Sequence, residues 1–194
     1  MAGDVWLKGR PMARGQDVVE SDAVLAEGIQ ISVATLRTRI GVLQITASMD
    51  SVLYIDLPGR HVVRLEDPVL RRRLLSRTRT PALRAAFDEL REYFAGTRRA
   101  FDVPVAPTGT EFQRRVWKVI SEIPFGETIS YGHVADALGE PHLARAVGAA
   151  TGANPIALII PCHRVVGADG AMTGYGGGLK MKVWLLRHEG ALLA

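Results

Sequence analysis

A single cysteine occurs in the 194-residue chain, and its neighbours are of the types that make a thiol reactive. Cys162 lies in Ile159-Ile160-Pro161-Cys162-His163-Arg164-Val165-Val166-Gly167. The thiolate is the nucleophilic form of cysteine; an adjacent imidazole can take the proton, and an adjacent guanidinium can steady the anion. Pro161 and the apolar run before it would hold the sulfur rigidly at the end of a buried segment. A second reading stays open on these residues alone, because a lone cysteine is commonly just a small buried hydrophobe. One cysteine forms no internal disulfide and no multi-cysteine zinc site, which fits a reducing, cytoplasmic setting.

The elements that must position this residue fall into two halves. Residues 1–28 are polar and irregular and read as an N-terminal extension. Short β-type runs follow at Ile29–Leu36, Gly41–Ala47 and Val52–Leu57; Ile29, Ile31 and Val33 alternate with Gln30 and Ser32, the period of a half-buried strand. Turns at Gly41 and at Met49-Asp50-Ser51 predict an antiparallel meander. Leu83, Phe87, Leu90 and Phe94 predict a helix from Pro81 to Phe94 that stops at Gly96. Residues 101–109, with two prolines, read as a linker, so the domains are expected at 29–105 and 106–194.

The second half is helical in pattern. Phe112, Val116, Trp117 and Ile120 share one helical face, and Ser130 can cap a helix carrying Val134, Ala135 and Leu138 that ends at Gly139. Pro141 opens a further helix, from His142 to about Gly152, rich in alanine and glycine. Two short helices joined by a turn of about four residues have helix-turn-helix spacing, which many αα-hairpins share.

Composition sets outer limits. Hydrophobic residues make up 47% of the chain, enough for a core. The longest apolar stretch, Asn154 to Cys162, is far shorter than a membrane span, and Met1–Lys8 lacks the pattern of a secretory signal. The net charge of +4 permits a polyanionic partner without naming one. The densest basic run, Arg71 to Arg79, suits a solvated surface as well as a phosphate contact.

Taken together, the motifs resemble those of the O6-alkylguanine-DNA alkyltransferase family. The resemblance rests on Asn154-Pro155, Pro161-Cys162-His163-Arg164-Val165, Arg145-Ala146-Val147-Gly148 and Gly126-Glu127-Thr128-Ile129-Ser130-Tyr131. It continues through Tyr175-Gly176-Gly177-Gly178-Leu179 and Trp184-Leu185-Leu186-Arg187-His188-Glu189-Gly190, with Glu92-Tyr93-Phe94-Ala95-Gly96 as a fainter trace in the first half. It implies an α+β protein: an N-terminal ribonuclease H-like unit with the strand meander, and a C-terminal helical domain with a winged helix-turn-helix. The implied activity is DNA repair, in which an O6-alkylguanine is flipped out of duplex DNA and its alkyl group moves irreversibly to Cys162. The alternative is a non-catalytic DNA-binding protein that recognises alkylated bases or regulates transcription. A cysteine hydrolase ranks lower, for want of a second histidine placed with an Asn or Asp.

The same resemblance assigns roles. Cys162 is the nucleophile, His163 its proton acceptor through a water, Glu189 the group that orients His163, and Tyr131 the donor to guanine N3. Arg145 is the finger that replaces the extruded base, while Ala146, Gly148 and Ala149 let the helix approach the minor groove. Asn154 is a hinge, the Val165 carbonyl accepts from the guanine amino group, and Tyr175 and Gly176 wall the pocket. Gly176 stands where relatives often carry Ser, and Ala157 replaces a proline of some relatives. No cofactor and no metal are expected, and the partners are double-stranded DNA and the alkylated base, with no membrane and a monomer in solution.

Overall fold

A computed structural model describes residues 20–25, 29–59 and 80–192 of the chain. The Arg71–Arg79 run and most of the N-terminal extension lie outside the described residues. Four strands, β1 (Glu20–Leu25), β2 (Ile29–Thr38), β3 (Gly41–Ala47) and β4 (Val52–Asp56), form an antiparallel sheet in sequence order. The meander is as expected, with one addition: residues 20–25, read as part of a polar extension, are its edge strand, paired with β2 from Glu20↔Ala34 to Leu25↔Ile29. Acidic and polar residues hid a strand whose hydrogen bonds are made by backbone.

One sheet face packs under α1 (Pro81–Ala95). Ala34, Leu36, Leu43, Ile45 and Ile55 join Leu83, Phe87, Leu90 and Tyr93 in a single apolar cluster. The alternating residues Ile31 and Val33 point the other way and form a smaller cluster with Leu53. Thr80 caps α1 by accepting from the Leu83 amide at 3.3 Å, Pro81 sets the first turn, and Gly96 ends it in the left-handed conformation (φ 79°).

The free edge of β4 joins the two halves. The Val52 amide donates to Pro104 O (2.8 Å), and the Ala106 amide donates back to Val52 O (2.9 Å). Further along, the Ile55 amide donates to Pro155 O at 2.9 Å, and Ile55 bridges Ile156 in parallel. Residues 104–106 of the expected linker are therefore seated on the sheet edge, because unpaired strand groups need partners.

The second half holds α2 (Glu111–Ser121), β5 (Ile129–Ser130), α3 (Tyr131–Ala137), α4 (Ala144–Gly152), β6 (Val165–Val166) and α5 (Leu179–His188). Thr110 and Gln113 form a reciprocal capping box on α2. The buried Trp117 anchors α2 to α4 by donating from Nε1 to Ala150 O at 2.8 Å. Ser130 caps α3, Gly139 ends it (φ 76°), and a 3-10 turn at Pro141–Leu143 precedes α4. The regular helix therefore starts at Ala144 and not at His142. With β5 and β6 paired beside them, α3 and α4 fit the expected winged helix-turn-helix.

Candidate active site

Parallel pairing of β5 with β6 is the local device that brings the site together. Ile129 pairs with Val165 and Ser130 with Val166. Tyr131 starts the helix after β5, and Cys162 opens the 3-10 turn (Cys162–Arg164) before β6, so both converge on one cleft. Cys162 is 9% exposed and sits in the wall of that cleft with Tyr131, Gly148, Asn154, Tyr175 and Gly176. Leu57, just past β4, also lines it, as do Thr151, Gly152, Ala157 and Gly174.

Next to the cysteine in the chain begins a buried polar cluster. His163 is completely buried, with Nε2 2.8 Å from Glu189 Oε1. Arg164 grips the same carboxylate twice, Nε to Oε2 at 2.8 Å and Nη2 to Oε1 at 3.0 Å, and its Nη1 donates to Ile123 O at 2.6 Å. The Tyr93 hydroxyl donates to Oε1 at 2.7 Å, and the Gly126 amide reaches Oε2 at 3.5 Å. Burial pushes the Glu189 carboxyl up, but hydrogen bonds from His163 and Arg164 and the guanidinium charge outweigh it and hold it down to about 2. Burial is also the main influence on His163 and lowers its pKa, against the pull of Glu189.

These shifts fix the proton arrangement. An ionised carboxylate only accepts, so His163 Nε2 carries the proton and Nδ1 is left as a bare lone pair. That Nδ1 is buried and has no hydrogen-bond partner among the described residues. The histidine is thus neutral and basic on the side away from Glu189.

Lys182 on α5 is fully buried and donates from Nζ to Val165 O at 2.6 Å and to Thr173 O at 3.3 Å. Burial lowers its pKa, and the charge of a Cys162 thiolate works the other way, so the ammonium and the sulfur are within electrostatic range. The cysteine is thus followed in the chain by a basic imidazole and has a cation within electrostatic range, which suits a nucleophilic thiolate.

Asn154 is 5% exposed and spans the turn before Pro161: its Nδ2 donates to Ile160 O (2.8 Å), and its Oδ1 accepts from the Ile156 amide (3.0 Å). Inside this turn Leu158 adopts φ 74°, a left-handed conformation that a leucine takes only under constraint. Thr173 donates to the Tyr131 hydroxyl at 3.0 Å.

Of the residues singled out from sequence, Cys162, Tyr131, Gly148, Asn154, Tyr175 and Gly176 share the cleft, and His163 with Glu189 forms a buried pair. Val165 is buried in β6 with its carbonyl already engaged by Lys182. Arg145 and Ala149 are exposed on α4 and Ala146 is half-buried there; none of the three lines the cleft. Lys182 and Tyr93 were not singled out from sequence, and Arg164, read there as a group that steadies the thiolate, holds the Glu189 carboxylate. Signals existed for the two missed: Lys182 shares a helical face with Leu185 and Leu186, and Tyr93 sits on the apolar stripe of α1, where a hydroxyl needs a partner. Among the described residues no group of three or more His, Cys, Asp or Glu could hold a metal ion, and no helix is long and apolar enough to cross a membrane.

Fold and site define a class: two units joined along a strand edge, with a histidine-flanked cysteine in a cleft beside a helix-turn-helix. Family models match both units, the DNA-binding domain of 6-O-methylguanine DNA methyltransferase over residues 111–191 and its ribonuclease-like domain over residues 31–107. A methylated-DNA--protein-cysteine methyltransferase of Shigella flexneri is 58% identical over 107 residues, 55% of this chain and 63% of that protein. One from Methanosarcina acetivorans is 54% identical over 108 residues, 56% of this chain and 69% of its own length. The match to the Shigella protein thus spans less than two thirds of it. The crystal structure of Mycobacterium tuberculosis OGT in complex with DNA superposes with a TM-score of 0.69 at 42% identity, over 81% of this chain and 91% of that one. The chain belongs to the 6-O-methylguanine DNA methyltransferase family.

Proposed function

We propose that the protein repairs DNA by flipping an O6-alkylguanine out of the duplex and moving its alkyl group to Cys162. The observation that carries this reading is the buried His163–Glu189–Arg164 cluster, next in the chain to a cysteine that lines a cleft. In the reaction the thiol proton passes to His163 Nδ1, directly or through a water, and the sulfur attacks the alkyl carbon in line. A carbon–sulfur bond forms as the carbon–O6 bond breaks, and its electron pair stays with the guanine. Tyr131 gives its proton to N3 of the leaving base, and the phenolate is reprotonated from the His163 imidazolium through solvent, so the net change is loss of the thiol proton and gain of one proton on the guanine. The thioether has no route to reversal in this site, so each molecule acts once.

DNA binding is supported by the complexed Mycobacterium tuberculosis relative and by the family's DNA-binding domain. The exposed Arg145 and Ala149, with Ala146 and Gly148, give α4 a small-residue face suited to the minor groove, and Arg145 fills the gap left by the flipped base. Minor-groove contact leaves sequence nearly unread, which suits a protein that must inspect any site. The protein works as a monomer in the cytoplasm, with residues 29–105 as the supporting domain and 106–194 as the DNA-binding and transfer domain.

The test is transfer from a duplex whose single O6-methylguanine carries a labelled methyl group. Label is expected on the wild-type protein and none on Cys162→Ser, which should still bind the duplex, because a hydroxyl is a far weaker nucleophile than a partly ionised thiol. Binding without label on the wild type would favour the non-catalytic alternative.

A further inference from the structure

Tyr93 is gripped at both ends by consecutive residues, His188 at the end of α5 and Glu189 just past it. Its hydroxyl donates to Glu189 Oε1 at 2.7 Å, the oxygen that also holds His163 Nε2. The preceding residue, His188, closes on the Tyr93 backbone carbonyl through Nε2 at 2.7 Å, with its ring edge-on to the tyrosine ring. Packing alone does not call for the hydroxyl, since a phenylalanine fills nearly the same space, as Phe94 does in the next position. Glu189 is ionised and can only accept, so the phenol acts as a donor, and burial together with the carboxylate charge pushes its own ionisation far above the ordinary range.

We infer that Tyr93 is a positioning residue for alkyl transfer, contributed by the first unit, which shares Oε1 with His163 and so limits how strongly Glu189 holds a proton on the imidazole. The inference rests on the alkyl-transfer reading above. The groups acting on His163 are Glu189, just past α5, Lys182 from α5, Arg164 from its own turn and the ring of Tyr175, with Tyr93 from α1 reaching it through Glu189. Removing the phenol leaves the others in place and makes Oε1 a stronger acceptor for His163 Nε2–H. The imidazolium is then favoured, and the base becomes available only at higher pH.

The experiment follows the single-turnover rate on a saturating duplex with one O6-methylguanine across the range of about pH 5 to 9, together with the His163 imidazole titration by NMR in the free protein. For Tyr93→Phe both midpoints should rise by about half a unit to one unit, with the high-pH rate within about threefold of wild type. Replacing Tyr93 with 3-fluorotyrosine, a stronger donor of nearly the same shape, should move both midpoints downward. A uniform loss of rate at unchanged midpoints, or fluorotyrosine and phenylalanine variants that titrate like wild type, would overturn the assignment. The NMR arm needs no substrate, so a wild-type protein that transfers nothing sinks the functional reading separately from the coupling of Tyr93 to His163.

Discussion

Glu189 is the residue on which the polar cluster turns, since it balances the Arg164 charge and fixes the His163 tautomer at once. Glu189→Gln leaves a buried guanidinium without its counter-charge, and urea unfolding at neutral pH should show a loss of about 3 kcal/mol or more. The sign with pH follows from the lowered carboxyl. Its contribution is complete above the unfolded value near 4.5 and is lost as pH falls toward about 2, so the gap between wild type and variant should close over that window. His163 adds a separate acid loss to the wild-type protein: unfolded it takes a proton below about 6.5, which the folded site resists. A gap that stays constant from neutral to strongly acidic pH would mean that the carboxylate is not the ionised centre. Cys162 and His163 were legible because nucleophile and base are adjacent in the chain. Tyr93 lies 96 residues from its carboxylate and Lys182 lies 17 from its carbonyl, separations that no local pattern encodes.

At the scale of elements, the turn from Asn154 to Pro161 holds the reactive cysteine by tying one side chain to two backbone groups. Asn154→Ala strands both groups in a buried setting that also contains the constrained Leu158, and should cost about 2–4 kcal/mol by denaturant titration. A variant within experimental error of wild type would exclude the hinge role. Helix α4 carries a different test. Arg145→Ala should slow transfer from duplex DNA roughly tenfold, because part of the unstacking energy is no longer recovered. Attack on free O6-benzylguanine needs no flipping and should be unchanged; equal losses on both would assign Arg145 to fold support. Helices α1 to α4 were legible because their stripes and caps are local, with Thr80, Thr110 and Ser130 all capping as their types suggest, whereas α5 was not read as a helix from its sequence. Strand β1 was not legible, since its Glu20-Ser21-Asp22 start breaks the apolar alternation while backbone pairing does not depend on it, and the seating of residues 104–106 on β4 depends on which sheet edge is free.

At the scale of the whole molecule, two units meet where β4 receives the Pro155–Ile156 backbone and Glu189 receives the Tyr93 hydroxyl. Alkylation enlarges a side chain in a close-packed wall of that assembly, and overpacking costs about 1–3 kcal/mol. The reacted protein should therefore melt below the free protein in a calorimetric scan; an equal or higher melting temperature would mean that the cleft has room to spare. The irreversible single transfer is the central claim, and intact mass with fragment mapping reads it most directly. After incubation with a large excess of O6-methylguanine duplex, every molecule should carry one methyl group, located on Cys162, and demethylation of the DNA should stop at one equivalent. Continued demethylation beyond one equivalent, or a methyl group mapped to any other residue, would contradict the account.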